Sequence, residues 1–443
     1  MEFIQRKTKR MHYFSKVVGL IAAFLLSISS NSQIQSMIGH VGMRNAAIWM
    51  HDSQKNKEVT LAYSSDKKHW NTTSSALSSE HSFCHTFTLS ELTPNTTYFV
   101  LFQTNNNVSD TLHFTTQELW QWRKDPPAFQ MAFGSCAYIN DTDFDRPGKP
   151  YGKDTRIFQS IAQQHPNAMV WLGDNIYFRE GDWETYQNMM NRYFHARQVP
   201  SMQTLLNACP NYAIWDDHDF GPNDCDGTFV YRKESLQAFN DVWANSNSGI
   251  PGGSTNCNTA KVQINDVDLY LIDNRSFRTP YKTSGVNAKM IGDEQLTWLI
   301  EDLKNSRATF KLICIGSQVI NSVPVFETFA NYTEESKKLF QLIEENEIKN
   351  IIFITGDRHF AELSERTLSN NIRVLDITTS PLTSSPYTNV KEENTYRVKG
   401  TLFENQNYCT IQFNGPVKER EAIIELHDID GKSIWKKSFT RMN

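Results

Sequence analysis

A chain of 443 residues with 39% hydrophobic content has room for two or three domains and a large core. Its 44 Lys and Arg against 49 Asp and Glu leave a net charge of −5. That balance argues against a nucleic-acid-binding module and suits a protein that handles small or exposed substrates.

The first 32 residues have the pattern of a secretory signal peptide. Lys7, Lys9, Arg10 and Lys16 precede an apolar run, Val17 to Ile28, and small polar residues follow from Ser29 to Ser32. The run is short for a membrane span. The expected product is exported, periplasmic or extracellular, with no stable membrane span after cleavage. An uncleaved anchor is the alternative.

Residues 36–117 alternate apolar and polar side chains in short runs: Ala46–Met50, Glu58–Tyr63, His85–Leu89, Thr97–Gln103 and Thr111–Phe114. Turn-rich stretches separate them, which predicts a small β-sandwich. The run Leu92-Thr93-Pro94-Asn95-Thr96-Thr97-Tyr98 resembles the tyrosine corner of fibronectin type III domains. No catalytic residues stand out in this part.

A linker closed by Pro126-Pro127 leads into residues 118–405, where strands and helices alternate. That rhythm predicts a layered α/β domain. Residues 406–443 return to β, with Asp430-Gly431 as a hairpin signal; these strands can extend the preceding sheet. Of seven cysteines, Cys225 and Cys257 stand in polar loops where they can pair.

Four predicted strands end in residues that carry chemistry. Phe129–Phe133 leads to Cys136, and Ala168–Leu172 leads to Asp174 and Tyr177. Tyr212–Trp215 leads to Asp216, Asp217, His218 and Asp219. Asn350–Ile354 leads to Asp357 and His359. Each group taken singly has an ordinary reading as a capped loop, a core cysteine or a solvated acidic turn. Together, acids placed against buried strands are costly without a cation. Thiolate, phenolate and imidazole suit a transition metal, whereas carboxylates and amide carbonyls suit calcium or magnesium. The expected centre is therefore mixed, with Asp174 placed to bridge.

Phe133-Gly134-Ser135-Cys136, Gly173-Asp174-Asn175-Ile176-Tyr177, Trp215-Asp216-Asp217-His218-Asp219 and Gly356-Asp357-Arg358-His359 occur in the order seen in the PhoD-like alkaline phosphatase family. The resemblance runs from about Phe129 to Pro386, and the preceding β-domain fits that family's layout. It implies a four-layer α/β/β/α metallophosphatase core behind a fibronectin-III-like β-sandwich. It implies iron (Fe3+) held by Cys136, Asp174, Tyr177 and His359. Calcium would take Asp174, Asp217 and Asp357, with Asn223 as a further ligand. His218 matches an active-site histidine, a general acid or phosphate contact, and Arg275 resembles a phosphate-binding arginine. The implied substrate is a phosphate ester, attacked in line by metal-held hydroxide. Asp219 stands where the commoner motif has Glu, and the β-hairpin tail replaces a C-terminal helix that closes the site in some relatives. Two other readings are a non-catalytic surface or adhesion protein with a structural metal site, and a hydrolase using Cys136 and His359 as nucleophile and base.

Overall fold

The computed structural model describes residues 34–105 and 108–442. The expected signal peptide, residues 1–32, lies outside the described residues. Strands β1 (Ile34–Val41), β2 (Ala46–Asp52), β3 (Glu58–Ser64), β4 (Asn71–Ala76), β5 (Cys84–Leu89), β6 (Thr97–Gln103) and β7 (Leu112–Thr115) form the N-terminal β-sandwich. Its sheets run β1-β2-β5 and β4-β3-β6-β7 and close over Ile38, Ile48, Leu61, Val100 and Phe102. The tyrosine corner is formed: the hydroxyl of Tyr98 accepts the backbone N–H of Thr93 at 3.0 Å. Strands β1 and β4 go beyond the five runs read from sequence. Every residue of β4 is exposed or nearly so, so its Asn-Thr-Thr-Ser-Ser-Ala carries no apolar alternation.

The larger domain begins with β8 (Phe129–Gly134), α1 (Arg156–Gln163), β9 (Ala168–Leu172), α2 (Tyr186–Arg197), α3 (Pro200–Ala208) and β10 (Asn211–Ile214). It continues through α4 (Asp217–Phe220), α5 (Arg232–Val242), β11 (Ala260–Ile264), β12 (Val267–Leu271), α6 (Asp293–Asn305) and β13 (Phe310–Ile315). Then come α7 (Thr333–Glu345), β14 (Ile351–Thr355), β15 (Glu362–Thr367), β16 (Arg373–Thr378), β17 (Asn407–Asn414), β18 (Glu421–Asp428) and β19 (Ser433–Thr440).

These strands make two six-stranded sheets, ordered β10-β9-β8-β17-β18-β19 and β11-β12-β13-β14-β16-β15. Strand β9 shows why they stack. All five of its residues are buried, yet Ala168, Val170 and Leu172 join the core between the sheets while Met169 and Trp171 join the helix-side core. Alternate side chains leave opposite faces of a strand, so a strand with both sets apolar must be covered twice. Helices α1, α2, α3 and α5 cover the first sheet with Phe158, Met190, Leu205 and Phe239. Helices α6 and α7 cover the second with Leu299 and Phe340. The result is the expected α/β/β/α layering.

The tail belongs to this architecture. Strand β17 lies antiparallel to β8, with Ile411 opposite Met131, so residues after 406 complete the first sheet. The sandwich is not an appendage either. Met37, Trp49 and Cys84 are members of the helix-side core. The Arg197 guanidinium of α2 lies 4.2 Å from the Trp49 ring centroid, and the Trp49 indole N–H donates to the carbonyl of Asp241 at 2.7 Å.

Candidate metal centre

Strands β8, β9 and β10 run parallel in one sheet, and β12, β13 and β14 run parallel in the other. The loops that leave their carboxyl ends converge, as ligand-binding loops do in parallel sheets. Cys136 follows β8, Asp174 follows β9, and Asp216 and Asp217 follow β10. Arg275 follows β12, Glu327 lies beyond β13, and Asp357 and His359 follow β14.

The backbone is bent sharply at the donors. Cys136, Asp174, Asp357 and His359 have φ of +62°, +50°, +64° and +56°. Left-handed non-glycine residues are uncommon and cluster at functional sites. Gly173, at φ +88°, lets the chain turn before Asp174; a Cβ there would stand 2.7 Å from the Cβ of Asp216.

Ligand atoms of Cys136, Asp174 and His359 all lie within 4.8 Å of one another. The Tyr177 hydroxyl stands 3.1 Å from Asp174 Oδ2 and 3.1 Å from His359 Nε2. His359 donates its Nδ1–H to the carbonyl of Ser385 at 2.8 Å, which leaves the Nε2 lone pair facing the cluster. Burial lowers the His359 pKa to about 4 and so favours that neutral imidazole. Beside this group, Asp174, Asp217 and His218 offer donors within 4.8 Å, and Asp174 is common to both. Its Oδ1 accepts the backbone N–H of His218 at 3.3 Å.

Two further carboxylate groups adjoin. Asp216, Glu327 and Asp357 form one, and Asp217, Asp224 and Glu327 the other. Burial and the neighbouring acids push Asp174 well above the ordinary carboxylate range. Burial and Glu327 do the same to Asp357. Burial raises Asp216 to about 6 against the opposing pull of Arg275. Burial also acts on Asp217, but His218 and Arg275 overcome it and hold that carboxyl low. One oxygen each of Asp216 and Asp217 is buried with no hydrogen-bond donor. So many acids at strand ends, with orphaned oxygens, are what a cation would satisfy. The donor set fits two: a softer site of thiol, phenol and imidazole, and a harder one of carboxylates, sharing Asp174.

Arg275 has a different setting from the one expected of a phosphate-binding residue. It is 0% exposed. Its Nε donates to Asp216 Oδ1 at 2.6 Å, its Nη1 to Glu327 Oε1 at 2.9 Å and to the carbonyl of Cys225 at 3.0 Å, and its Nη2 to Glu327 Oε2. Burial alone would weaken its charge, but Asp216, Glu327 and Asp217 reverse that and keep it protonated. The guanidinium thus braces the acidic groups from behind. Asn223 is exposed in the turn after α4, next to Asp224, whose N–H bonds Asp217 Oδ2 at 2.7 Å. Asp219 is structural: it accepts the N–H groups of Asp216 and Asn175 at 2.6 and 3.2 Å, and it caps α4 reciprocally with Asp216.

Glu327, Asp224, Tyr151 and Ser385 were not singled out in the sequence. Glu327 sits in the irregular loop Ser322-Val323-Pro324-Val325-Phe326-Glu327, which has no motif and no periodicity. Cys225 and Cys257 do not pair, and all seven cysteines are free. The nucleophilic reading of Cys136 has no support from its setting. Its thiol is fully buried, and burial and Asp174 push it up, the reverse of what a reactive thiolate needs.

The comparisons with known proteins run along the same elements. Residues 131–420 match the PhoD-like phosphatase family, from β8 to the residue before β18. Alkaline phosphatase D of Bacillus subtilis (strain 168) is 22% identical over 316 residues, covering 60% of this chain and 52% of the relative. The chain therefore spans about half the length of that curated relative. A solved structure of PhoD superposes with a TM-score of 0.74 at 14% identity, covering 94% of each chain. A purple acid phosphatase from yellow lupin seeds superposes at 0.67 with 10% identity, covering 93% of this chain and 75% of that one. At such identities these two structures bear on the fold, whereas the family match spans β8, β9, β10 and β14, the four strands whose ends carry the donors. The chain belongs to the PhoD-like phosphatase family.

Proposed function

We propose that the protein is an exported, metal-dependent phosphoesterase that hydrolyses phosphate esters. The observation that carries this reading is the gathering of Cys136, Asp174 and His359 donors within 4.8 Å, with Asp217 and Asp357 beside them. Cys136, Asp174, Tyr177 and His359 would hold iron. Asp174, Asp217 and Asp357 would hold calcium, with Asn223 as a further ligand. When bound, such a pair supplies Lewis acidity toward phosphoryl oxygens and a lowered pKa for water.

The chain's own residues then have separate tasks. Asp174 fixes the spacing of the two subsites because both lean on one carboxylate. Ser385 orients His359 through Nδ1. His218 packs its ring 4.1 Å from that of Tyr177 and projects from the turn that holds Asp217. From there it serves as proton donor to the leaving alcohol or as a contact to phosphate. Arg275 keeps Asp216 and Glu327 in place without touching substrate. Export rests on the charged and apolar pattern of residues 1–32. Among the described residues no helix is long and apolar enough to cross a membrane.

Hydrolysis of a chromogenic phosphate ester by metal-replete protein tests the reading. Activity should vanish on chelation and return with iron and calcium together. Metal-replete, folded protein with no activity on mono- or diesters would favour the non-catalytic surface-protein reading instead.

A further inference from the structure

The mouth of the site carries aromatic rings that the proposed chemistry does not use. Phe326 is 59% exposed and Tyr387 44%, and their rings meet edge to face with centroids 6.0 Å apart. A lone exposed ring is ordinary. These two are tied to the centre. Phe326 directly precedes Glu327, whose carboxylate lies with those of Asp216 and Asp357. Tyr387 donates its backbone N–H to the carbonyl of His359 at 2.9 Å. Arg358, between Asp357 and His359 in the chain, places its guanidinium 5.1 Å from the Phe326 ring centroid. That guanidinium is itself fixed by Glu392 at 2.6 Å.

Phe326 also has φ of +45°, a conformation that strains a bulky side chain. Such strain persists only where the surroundings enforce it, and it concentrates at ligand sites. A third ring, Tyr151, is 40% exposed, with its centroid 6.0 Å from that of the His359 imidazole. Tyr151 thus stands against the imidazole of the donor cluster, Tyr387 is bonded to the His359 backbone, and Phe326 packs on Tyr387 and beside Arg358.

Phe326 adjoins Glu327 in the chain and Tyr387 is bonded to the His359 backbone, so the alcohol portion of a phosphate ester held at the donors can meet these rings. Phe326 and Tyr387, inclined at 72° to one another, form an aromatic corner. Such a corner favours a flat π system, which takes both offset-stacked and edge contacts. A long acyl chain would instead call for an extended apolar trough. We propose that Phe326 and Tyr387, assisted by Tyr151, form a specificity rim that selects phosphate esters whose alcohol carries a flat aromatic ring. That ring is an aryl group or a nucleobase. The inference rests on the phosphoesterase reading and adds the substrate class to it.

The test uses the full, metal-replete chain and pairs of ligands that differ only in the ring. Benzyl phosphate is compared with cyclohexylmethyl phosphate, and a nucleoside 5′-phosphate with ribose 5-phosphate, so that each pair leaves a primary alcohol. Stacking on an aromatic side chain predicts a preference of about tenfold in kcat/KM for the flat member of at least one pair. The pair that shows it separates aryl from nucleobase selection. Phe326→Leu and Tyr387→Leu should each bring that ratio toward one. Equilibrium binding of benzylphosphonate and cyclohexylmethylphosphonate, which cannot be hydrolysed at the C–P bond in this way, gives a readout independent of turnover. A flat-ring preference in binding without hydrolysis of any ester would sustain the rim and overturn the phosphoesterase reading. Equal rates and equal binding for both members in the unsubstituted protein, or a preference that survives both substitutions, would overturn the rim.

Discussion

Tyr177 and His359 meet at 3.1 Å, phenol oxygen to Nε2, although 182 positions separate them in the chain. The contact joins a loop of one sheet to a loop of the other. Burial and Asp174 raise the Tyr177 phenol well above its ordinary range, so only a strongly polarising cation would make it a phenolate. With ferric iron bound there, a visible charge-transfer band is expected, and it should bleach on reduction. Tyr177→Phe and Cys136→Ser should each shift or weaken the band. Absorption spectroscopy of fully active protein with no visible band would sink the iron assignment, since a d¹⁰ zinc site is colourless.

Asp174 is common to both donor groups, so Asp174→Asn should lower the content of both metals. Loss of even an outer partner of a metal ligand costs about 10- to 100-fold, and loss of a shared ligand should exceed that in activity. Metal analysis beside kinetics decides it; full occupancy of both sites in this variant would refute the bridging role.

The buried setting of Arg275 changes what its removal should do. Arg275→Ala leaves Asp216 and Glu327 as uncompensated buried charges, and breaking such a pair costs about 3–5 kcal/mol. Denaturant unfolding should show this loss, and Glu327→Gln should show part of it. If Arg275→Ala is as stable as the parent and weakens only inhibition by free phosphate, the arginine reads substrate after all.

The acidic cluster predicts a pH dependence of the metal-free protein. Asp174, Asp357 and Asp219 all have folded pKa values raised well above the ordinary range, burial being the largest cause in each. A raised carboxyl stabilises the fold below its unfolded pKa and loses that contribution as pH climbs through the folded value. His359, lowered to about 4, works oppositely, but only up to its unfolded value near 6.5. Asp217, held low, is constant above the ordinary carboxylate range. Above about pH 6.5 only the raised carboxyls are left to act. The melting temperature of chelated protein should therefore fall from there toward pH 8, and restoring cations should flatten the slope. A chelated protein whose stability rises over that interval would contradict the assignment.

Removing the β-sandwich should disrupt more than a flexible appendage would. All expected ligands follow Phe129, which by itself suggests that a truncation through Thr116 keeps the site. Met37 and Trp49 lie in the helix-side core, and the backbone N–H of His40 donates to the carbonyl of Ala244 at 3.0 Å. The truncated protein should aggregate or bind metal poorly. The milder Trp49→Ala should cost about 3–5 kcal/mol, measured by denaturant unfolding of the whole chain.

What the sequence by itself determined was whatever depends on neighbours along the chain. Apolar runs ending in Gly134-Ser135-Cys136, Gly173-Asp174 and Gly356-Asp357 announced buried strands with donors at their ends, because strand periodicity and abrupt turns are local properties. Helix α6, Asp293–Asn305, follows from the same kind of local pattern, its buried Leu296, Leu299, Ile300 and Leu303 recurring at helical spacing. The tertiary structure decided what depends on partners distant in the chain. It placed Glu327, from a loop without pattern, between Arg275 and the acids. It surrounded Arg275, expected as a phosphate contact, with Asp216 and Glu327 and left it no exposed surface. It also inserted β17 beside β8 and pressed the outer face of the sandwich onto α2 and α5. Charge pairing, burial and sheet order are set by which surfaces meet, and no periodicity in a single chain records that.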